Sequence, residues 1–386
     1  MPESLSPDWD PRSASVLADQ RRAYAHMREH CPVAWSDYSQ WSVFRHADVS
    51  RILHDHQNFS SNASRHISVP NGMDPPEHTA YRNIIEDYFS AERMAAFEPV
   101  CREIAEDLAK EALLGEQAEL MADFAQPFAL RIQCAFMGWP LSLQEPLLSW
   151  ATRNNQATLA RDRTALSALA AEFEELIAGL LTERRNTSNP SDDLTTALMK
   201  EQVHGRVLND LEIASILRNW TVGEIGTIAA SVGIIAEFLA SHPDVQQQLR
   251  DDPELLWKAN DEILRIHGPL VDNRRRTTCP VQIGGRQIEA DQRVTINWVS
   301  ANRDPEVFPE PDTFSLERDP AQNLLYGAGI HVCPGAPLAR MELVIVIERL
   351  LEHTEQLQLM DQPVSLATYP SSGYASLPMR LRQAGQ

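Results

Sequence analysis

A glycine-rich segment around one cysteine constrains this chain more than any other feature. The segment reads LLYGAGIHVCPG over residues 324–335, and Gly327, Gly329 and Gly335 surround Cys333. Glycine lets a backbone turn sharply and approach a flat ligand closely. Beyond Gly335, apolar residues recur every three or four positions. This spacing predicts a helix that begins just after the cysteine.

The predicted position of Cys333 is that of a metal ligand. Free backbone N–H groups and the positive dipole end of a helix start favour a thiolate over a thiol. A thiolate in a glycine-lined loop is a good axial ligand for haem iron. Two alternatives stay open. One is that Cys333 is a small buried hydrophobe, as a lone cysteine can be. The other is a zinc site shared with His331, although no second Cys or His pair follows at finger-like spacing.

The segment resembles the haem-binding signature of the cytochrome P450 family, Phe-Gly-x-Gly-x-His/Arg-x-Cys-x-Gly. One difference is that Tyr326 stands where the family usually has Phe. The aromatic ring is kept, and we expect the added hydroxyl to lie on the thiolate side and to tune the iron. The resemblance implies that Cys333 binds the iron. It also implies that four residues of the segment surround the haem: Tyr326, Gly327, Gly329 and Gly335.

Bulk composition limits the class of protein. With 386 residues, of which 43% are hydrophobic, the chain can bury a large core. Length alone allows two or three average domains or one large domain. The resemblance covers nearly the whole chain and implies a single haem domain over residues 1–386. It also implies a mainly α fold with a smaller β region, in which the haem lies between a long central helix and the cysteine loop.

Charge and cysteine usage indicate where the protein works. The formal net charge of −20 argues against nucleic acid and anionic membranes as partners. Five cysteines without CxxC spacing fit a reducing compartment. Residues 1–12 lack an apolar signal segment, and the apolar stretch 225–240 is interrupted and short of a membrane span. We therefore expect a cytoplasmic protein with no membrane partner.

Local patterns place the main elements. Residues 210–241 form the longest helical pattern, which Asn209 is expected to cap and Pro243 to end. A Gly-Gly turn inside residues 281–288 predicts a β-hairpin. Asp74 stands before two prolines and is expected to cap the next helix.

The central helix carries the candidate catalytic residues. Two glycines and two threonines within residues 220–228 are poor helix formers, which indicates either a functional kink or a tight helix crossing. In the family this helix crosses the haem and bends near a threonine beside bound oxygen. Counting back from Pro243, the matching residue is Thr227. The family usually has an acid directly before it, but this chain has Gly226. Glu224 lies three residues before Thr227 on roughly the same helical face.

Basic residues elsewhere match the family's propionate ligands. His78 and Arg82 are four residues apart and share one helical face, which in the simplest case is an exposed polar face. They resemble the family's His-Thr-x-x-Arg helix. Alignment on the Gly-Gly turn makes Arg275 the strand arginine, with Arg274 or Arg276 if the register differs by one. The resemblance thus assigns the haem propionates to four side chains: His78, Arg82, Arg275 and His331.

A further triplet matches the family's structural network. Glu262 and Arg265 are three residues apart on a predicted helix and can form an ion pair. An ordinary surface pair is the simpler interpretation. The family has a Glu-x-x-Arg pair here that a later arginine completes, and Arg318 is the matching residue.

The resemblance implies a haem-thiolate monooxygenase that holds haem b (iron protoporphyrin IX). It would insert one oxygen atom from O2 into an organic substrate, with the Cys333 thiolate favouring O–O cleavage. Thr227 is expected to hold water or the reacting oxygen, and Glu224 to feed protons. Two alternatives stay open. Gly226 motivates a peroxide-driven peroxygenase of the same fold, and the second alternative is a non-catalytic haem-thiolate sensor.

Electrons are expected from a ferredoxin- or flavin-type reductase partner, because the sequence holds no flavin or iron–sulfur motif. Residues 219–224 (NWTVGE) and the Tyr-Gly-Ala-Gly loop are similar to haem domains of the bacterial branch fused to their own reductase. Arg340, just beyond Cys333, is a candidate for docking an acidic partner.

The substrate pocket is expected, from position alone, to include four segments: residues 62–72, Val222–Gly223, Leu270–Val271 and Gly373–Tyr374. Aliphatic side chains outnumber charges in these segments. This composition favours a small or medium apolar substrate.

Overall fold

The computed structural model describes residues 6–63, 67–112, 114–115, 117–188, 192–367, 369 and 371–383. Its α-helices are α1 (Ala14–Ala18), α2 (Gln20–His30), α3 (His46–His54), α4 (Glu77–Asp87), α5 (Ala91–Ala112), α6 (Gln126–Met137), α7 (Gln144–Ala160), α8 (Arg163–Asn186), α9 (Leu194–Leu198), α10 (Asp210–Ser241), α11 (Pro243–Asp251), α12 (Leu256–His267), α13 (Trp298–Ala301) and α14 (Ala336–His353). Its strands are β1 (Val33–Ser36), β2 (Gln40–Val43), β3 (Phe59–Ser60), β4 (Gln117–Glu119), β5 (Gln202–Val203), β6 (Arg206–Val207), β7 (Asp272–Thr277), β8 (Val281–Ile283), β9 (Arg286–Ile288), β10 (Arg293–Asn297), β11 (Thr354–Leu359), β12 (Ser365–Leu366), β13 (Tyr374–Ser376) and β14 (Pro378–Gln383).

Helix α10 is the longest element and the centre of the fold. It is unbroken over 32 residues, with the bounds that the sequence predicts. The Asn209 side chain accepts from the Glu212 amide while the Glu212 side chain accepts from the Asn209 amide, a capping box at the helix start. Helices α6, α8, α12 and α14 pack around α10. The predicted architecture, mainly α with a smaller β region, is confirmed.

Helix α10 is also apolar on most of its surface. Among the described residues, it is the one helix long and apolar enough to cross a membrane, and 67% of its apolar window is buried inside the fold. A helix that is apolar all round is expected in the core of a large protein. Burial of this helix therefore accounts for its composition.

A five-stranded sheet brings distant segments to the same side of the molecule. Its strand order is β1-β2-β10-β7-β3. The β1–β2 hairpin pairs Val33 with Val43, and β10 runs parallel to β2 and antiparallel to β7. Strands β8 and β9 form the predicted hairpin, whose turn residues Gly284 and Gly285 both have positive φ. Glycine is the residue that such a turn favours.

The predicted cap of α4 is wrong. Helix α4 begins at Glu77, and its N-cap is Pro76, without a side-chain cap bond. The Asp74 carboxylate instead accepts hydrogen bonds from the Ser60 hydroxyl and from the Ser61 amide, the latter at 3.0 Å. The Asp74 carboxylate therefore takes its donors from the end of β3 and the residue after it, and is not free to cap the helix.

The predicted structural network is present. Arg265 Nε donates to Glu262 Oε2 at 2.7 Å, and Arg318 Nε donates to Glu262 Oε1 at 2.9 Å. The Arg265 side chain is 1% exposed and also donates to the carbonyl oxygens of Asn302 and Pro311. This network ties α12 to the chain that leads into the cysteine loop, so the loop starts from a fixed position.

Candidate active site

A cavity of about 1040 Å³ lies between α10, the start of α14 and β7. Nine of the residues singled out in the sequence line it: Arg82, Glu224, Thr227, Arg275, Tyr326, Gly327, His331, Cys333 and Gly335. Residues from four separate parts of the chain therefore meet at one site. Two others, His78 and Gly329, do not line it, but the His78 ring contacts that of His331.

The loop around Cys333 is held in place by backbone contacts. The Cys333 amide donates to the Tyr326 carbonyl at 2.8 Å, closing the loop. A Cβ at Gly329 would lie 2.2 Å from the Leu53 carbonyl oxygen of α3, so no larger residue fits. At Gly335 a Cβ would lie 3.9 Å from the Cys333 sulfur. Gly329 thus seats the loop on α3, whereas Gly335 lies beside the sulfur.

The Cys333 thiol is not an anion by its protein environment alone. Burial raises its pKa, and the amides of Gly335 and Ala336 at the start of α14 lower it by a smaller amount. The expected thiolate-favouring amides are present, but desolvation outweighs them. A cation facing the sulfur would change this balance, because metal coordination deprotonates a thiol.

The four candidate propionate ligands are neighbours. The His78 and His331 rings lie 4.3 Å apart between centroids, and neither Nε2 has a hydrogen-bond partner among the described residues. Burial, and then the nearby His78, Arg275 and Arg82, together lower the pKa of His331 to about 3. Buried donors without acceptors are costly. Carboxylates at this point would satisfy them, so the site fits the propionate groups of a haem.

The three successive arginines of β7 differ in how deeply their side chains are buried. The Arg275 side chain is buried, whereas Arg274 is half-buried and Arg276 is exposed. Burial lowers the pKa of Arg275 to about 10. Successive side chains on a strand point to opposite faces. The register that makes Arg275 the propionate arginine therefore agrees with its position beside His331.

The Tyr326 hydroxyl is hydrogen-bonded to α12, and its pKa is raised by burial, by Asp261 and by the nearby Cys333 sulfur. It donates to Asp261 Oδ1 of α12 at 3.3 Å, and Arg340 Nε donates to Asp261 Oδ2 at 3.0 Å. The Arg340 guanidinium also lies 4.6 Å above the Tyr326 ring. Tyr326 therefore fastens the loop to α12. The charge of Arg340, expected to dock a partner, is compensated by Asp261.

A buried pair of carboxyl groups joins α10 to α14. Glu224 Oε1 and both carboxyl oxygens of Glu342 are buried, and no described residue outside the pair hydrogen-bonds them. Burial raises the pKa of Glu224 to about 7. Burial and then the nearby Glu224 charge raise the pKa of Glu342. Two carboxylates this close cannot both ionise easily, so the pair holds a proton near neutral pH.

Glu342 is the site residue that the sequence interpretation missed. It shares the apolar stripe of α14 with Leu338 and Val346, and an acid on such a stripe is an available signal.

Thr227 lies one turn beyond Glu224 on α10, and its hydroxyl donates to the Gly223 carbonyl at 2.5 Å.

The expected substrate-pocket segments are partly in place. From these segments, the residues that line the cavity are Ala63, Ser68, Asn71, Gly72, Gly223 and Leu270. Residues 64–66 of the first segment lie outside the described residues. Val271 is buried away from the cavity, and Gly373 packs against Ile234 of α10. The wall also contains several arginines, so it is more charged than the sequence segments indicated.

The family model described as Cytochrome P450 matches residues 145–370. The chain is 30% identical to the cyclomarin C epoxidase CymV of Salinispora arenicola, over 93% of this chain and 94% of that protein. This chain belongs to the cytochrome P450 family. It is also 33% identical to the erythromycin C-12 hydroxylase of Saccharopolyspora erythraea, over 84% of each. The solved structure of a mutant of P450 EryK in complex with erythromycin B matches with a TM-score of 0.85 at 29% identity, covering 95% of this chain and 98% of that one.

This P450 is an oxidoreductase, and its family holds haem. The residues of its site fit a haem. The sulfur of Cys333 faces the cavity, and the unpartnered imidazoles of His78 and His331 lie where acidic groups are needed. Trp298 Nε1 is a further buried donor without a described partner at the cavity wall. We expect Cys333 to bind the iron. The four candidate propionate ligands, two imidazoles and two arginines, are expected to bind the haem propionates.

Replacing each of the four proposed propionate ligands by alanine should speed haem loss. A charged hydrogen bond contributes about 1.5–3 kcal/mol, so each loss should accelerate haem transfer about tenfold or more. The four variants are His78→Ala, Arg82→Ala, Arg275→Ala and His331→Ala. Haem transfer to an excess of a haem-capturing protein measures the rate, and far-UV circular dichroism checks the fold. Arg153→Ala, in an exposed pair with Glu172, is the control. Parent-like rates in all four variants would contradict the assignment.

The carboxyl pair should make stability fall as pH rises. Because the pKa of Glu224 is raised from 4.5 to about 7, its protonated form favours the native state, fully so below pH 4.5. Deprotonation then removes this stabilisation as the pH approaches 7. Two thiols, Cys101 and Cys333, also interact with these charges.

We therefore expect the melting temperature to drop less between about pH 5 and about pH 8 in Glu342→Gln than in the parent protein. Glu92→Gln, an exposed acid at the start of α5, is the control and should keep the parent slope. A parent-like slope in Glu342→Gln would mean that Glu342 does not contribute to the pH dependence of stability in this range.

Proposed function

We propose that this P450 is a haem-thiolate monooxygenase that inserts one oxygen atom of O2 into an organic substrate. Its cofactor would be haem b (iron protoporphyrin IX), held in a single haem domain over residues 1–386. The observation that carries the proposal is the shared cavity of Cys333, Thr227 and Glu224. Bound haem supplies O2 activation, and the protein supplies orientation and protons.

Thr227 is proposed as the hydrogen-bonding residue of the cavity. Its hydroxyl hydrogen is used by the Gly223 carbonyl, which leaves the oxygen lone pairs free to accept from a water. A water held in this way can donate toward the reacting oxygen. The threonine would thus position the proton donor without giving up a proton itself.

Glu224 is proposed as the proton source, and Glu342 as its partner. A carboxyl with a pKa of about 7 is suited to proton transfer near neutral pH. Because Glu342 interacts with Glu224 in the same buried space, it can replace a proton that Glu224 has given away. The pair would deliver protons one at a time to the water at Thr227.

The reacting part of the substrate is proposed to be apolar. Aromatic and aliphatic side chains line the α10 side of the cavity, among them Phe136, Trp220, Ile228 and Leu270. Such surfaces bind apolar groups and leave orientation to a few polar contacts. The relatives named an epoxidase and a hydroxylase support oxygen insertion as the reaction.

Electrons are proposed to come from a ferredoxin- or flavin-type reductase partner, as in the family generally. The net charge of −20 argues against nucleic acid and anionic membranes as partners. The five free cysteines support a cytoplasmic location.

A peroxide-driven peroxygenase is the second candidate. Its support is Gly226 in the place of the family's acid, since a Cβ built there would meet no atom within 4 Å among the described residues beyond its own turn of helix. Turnover with peroxide alone at the rate reached with a reductase chain would favour it over the monooxygenase.

The test of the proposed function is the Soret band of the reduced protein under carbon monoxide. We expect the band of a thiolate-bound haem in the parent protein and its loss in Cys333→Ala. Cys134→Ala, a buried cysteine of α6, should keep the parent band. An imidazole-type band in the fresh, folded parent protein would refute thiolate ligation.

Loss of the proton source should uncouple the reaction. In Glu224→Gln we expect normal haem and substrate binding but about 100-fold slower product formation, with peroxide or superoxide released instead. Thr227→Ala should behave similarly, and the double variant should be little worse than either single one. Product formed per electron consumed is the measurement. Glu237→Gln on the same helix is the control, and unchanged coupling in Glu224→Gln would assign the proton to water or to another residue.

A further inference from the structure

A second group of arginines lines the same cavity. Arg163 at the start of α8, Arg274 of β7 and Arg293 of β10 all face it. Arg161 lies beside them, close enough that its charge affects the pKa of Arg293. We call these four residues the arginine cluster. It is distinct from the group proposed for the haem propionates, and nothing in the proposed reaction uses it.

The arginine cluster has little compensating negative charge. Among the described residues, the guanidinium groups of Arg163, Arg274 and Arg293 have no hydrogen bond or ion pair; the Arg161 guanidinium donates to the Asp37 carbonyl at 3.0 Å. Arg274 and Arg293 do affect the pKa of one acid, Asp272.

The Asp272 carboxyl already has a hydrogen-bond partner. The buried Asp272 carboxyl accepts the Tyr369 hydroxyl. A second acid at the cavity wall, Asp291, forms an ion pair with Arg276. The chain contains 54 acidic residues, so the small number of acids here is not a matter of composition.

The positions of the cluster residues are individually unfavourable. Arg163 is the first residue of α8, where the positive end of the helix dipole repels a cation. Arg161 is the exception: it is the C-cap of α7 with a φ of 54°, and its guanidinium lies 4.0 Å from the centre of the Tyr38 ring. Arg293 stands directly opposite Arg276 in the sheet, and like charges in that register are destabilising.

Mutual repulsion acts on the cluster as a whole. Burial lowers the pKa of Arg293, and Arg274, Arg161 and Arg163 lower it further. An arrangement of this kind stores unfavourable energy that an anion would relieve on binding. Guanidinium groups match carboxylate and phosphate oxygens with paired hydrogen bonds, which makes arginine the residue suited to this task.

We propose that the arginine cluster binds an anionic oxygen group of the substrate, a carboxylate or a phosphate, while the apolar part of the same molecule extends toward Cys333. This inference rests on the proposed function, because it takes the cavity to be the substrate site. It narrows the substrate class from an apolar compound to an amphiphilic acid. A small molecule fits better than an acidic protein surface, because three of the four arginines line a cavity.

The test compares acids with their neutral esters. Straight-chain and aryl carboxylates, their methyl esters and the matching monoalkyl phosphates are titrated into the holoprotein, and the substrate-induced change of the Soret band gives Kd. We expect the carboxylates to bind about tenfold or more tightly than the esters, since charged hydrogen bonds are the stronger ones. High salt should weaken the acids and leave the esters unchanged. The phosphates show whether the cluster accepts both kinds of anion.

Variants assign the effect to the cluster. The double variant Arg274→Gln, Arg293→Gln should weaken carboxylate binding about tenfold and leave ester binding unchanged. Arg153→Gln, which makes a smaller charge change on the outer surface, is the control and should alter neither. Esters that bind as tightly as acids, or no binding by either series, would overturn the proposal.

Two further results separate this inference from the proposed function. If the double variant loses haem as fast as Arg275→Ala, the cluster serves the haem and the inference is wrong. A parent protein that lacks the thiolate band under carbon monoxide would refute the proposed function. A normal thiolate band without any preference for acids would refute the inference alone.

Discussion

The contact between Gly329 and the α3 backbone is the constraint on which the site depends. Because a Cβ at position 329 would lie 2.2 Å from the Leu53 carbonyl oxygen, the loop can approach α3 this closely only with glycine. That approach, together with the bond from the Cys333 amide to the Tyr326 carbonyl, fixes the direction of the sulfur. Glycine at 329 is therefore required by packing against α3.

Buried polar groups are divided around the cavity according to charge. On the side of β7 and α4, the Nε2 atoms of His78 and His331 have no hydrogen-bond partner among the described residues, and acidic groups of a ligand would satisfy them. Between α10 and α14, the buried carboxyl oxygens of Glu224 and Glu342 have no described partner outside the pair. A folded protein tolerates such groups only where a ligand or a shared proton satisfies them. The division places the groups suited to binding anions apart from the groups suited to holding protons.

Features set by local pattern could be predicted from the sequence, and features set by tertiary proximity could not. The bounds of α10 follow from its cap and its terminating proline, and the Glu262–Arg265 pair follows from helical spacing. Asp74 was expected to cap a helix, but Ser60 and Ser61 are drawn to it by the fold.

The role of Tyr326 shows the same limit, because Asp261 lies 65 residues away in the chain and accepts its hydroxyl. The family motif indicates which residue stands at each position of the loop. It does not indicate which partner a substituted side chain finds. Glu342 was likewise visible as an acid on an apolar stripe, but its pairing with Glu224 depends on how α14 crosses α10.

Strand β7 explains why the cavity is more charged than its segments indicated. Alternation along a strand sends Arg275 to one face and its neighbour Arg274 to the other. Both nevertheless reach the same cavity, because the cavity extends past the strand to β10 and α8. One short run of arginines can thus supply both the haem side and the substrate side of the site. A substrate that carries an acidic group would then be held at two ends, by charge at the arginines and by apolar contact near the iron.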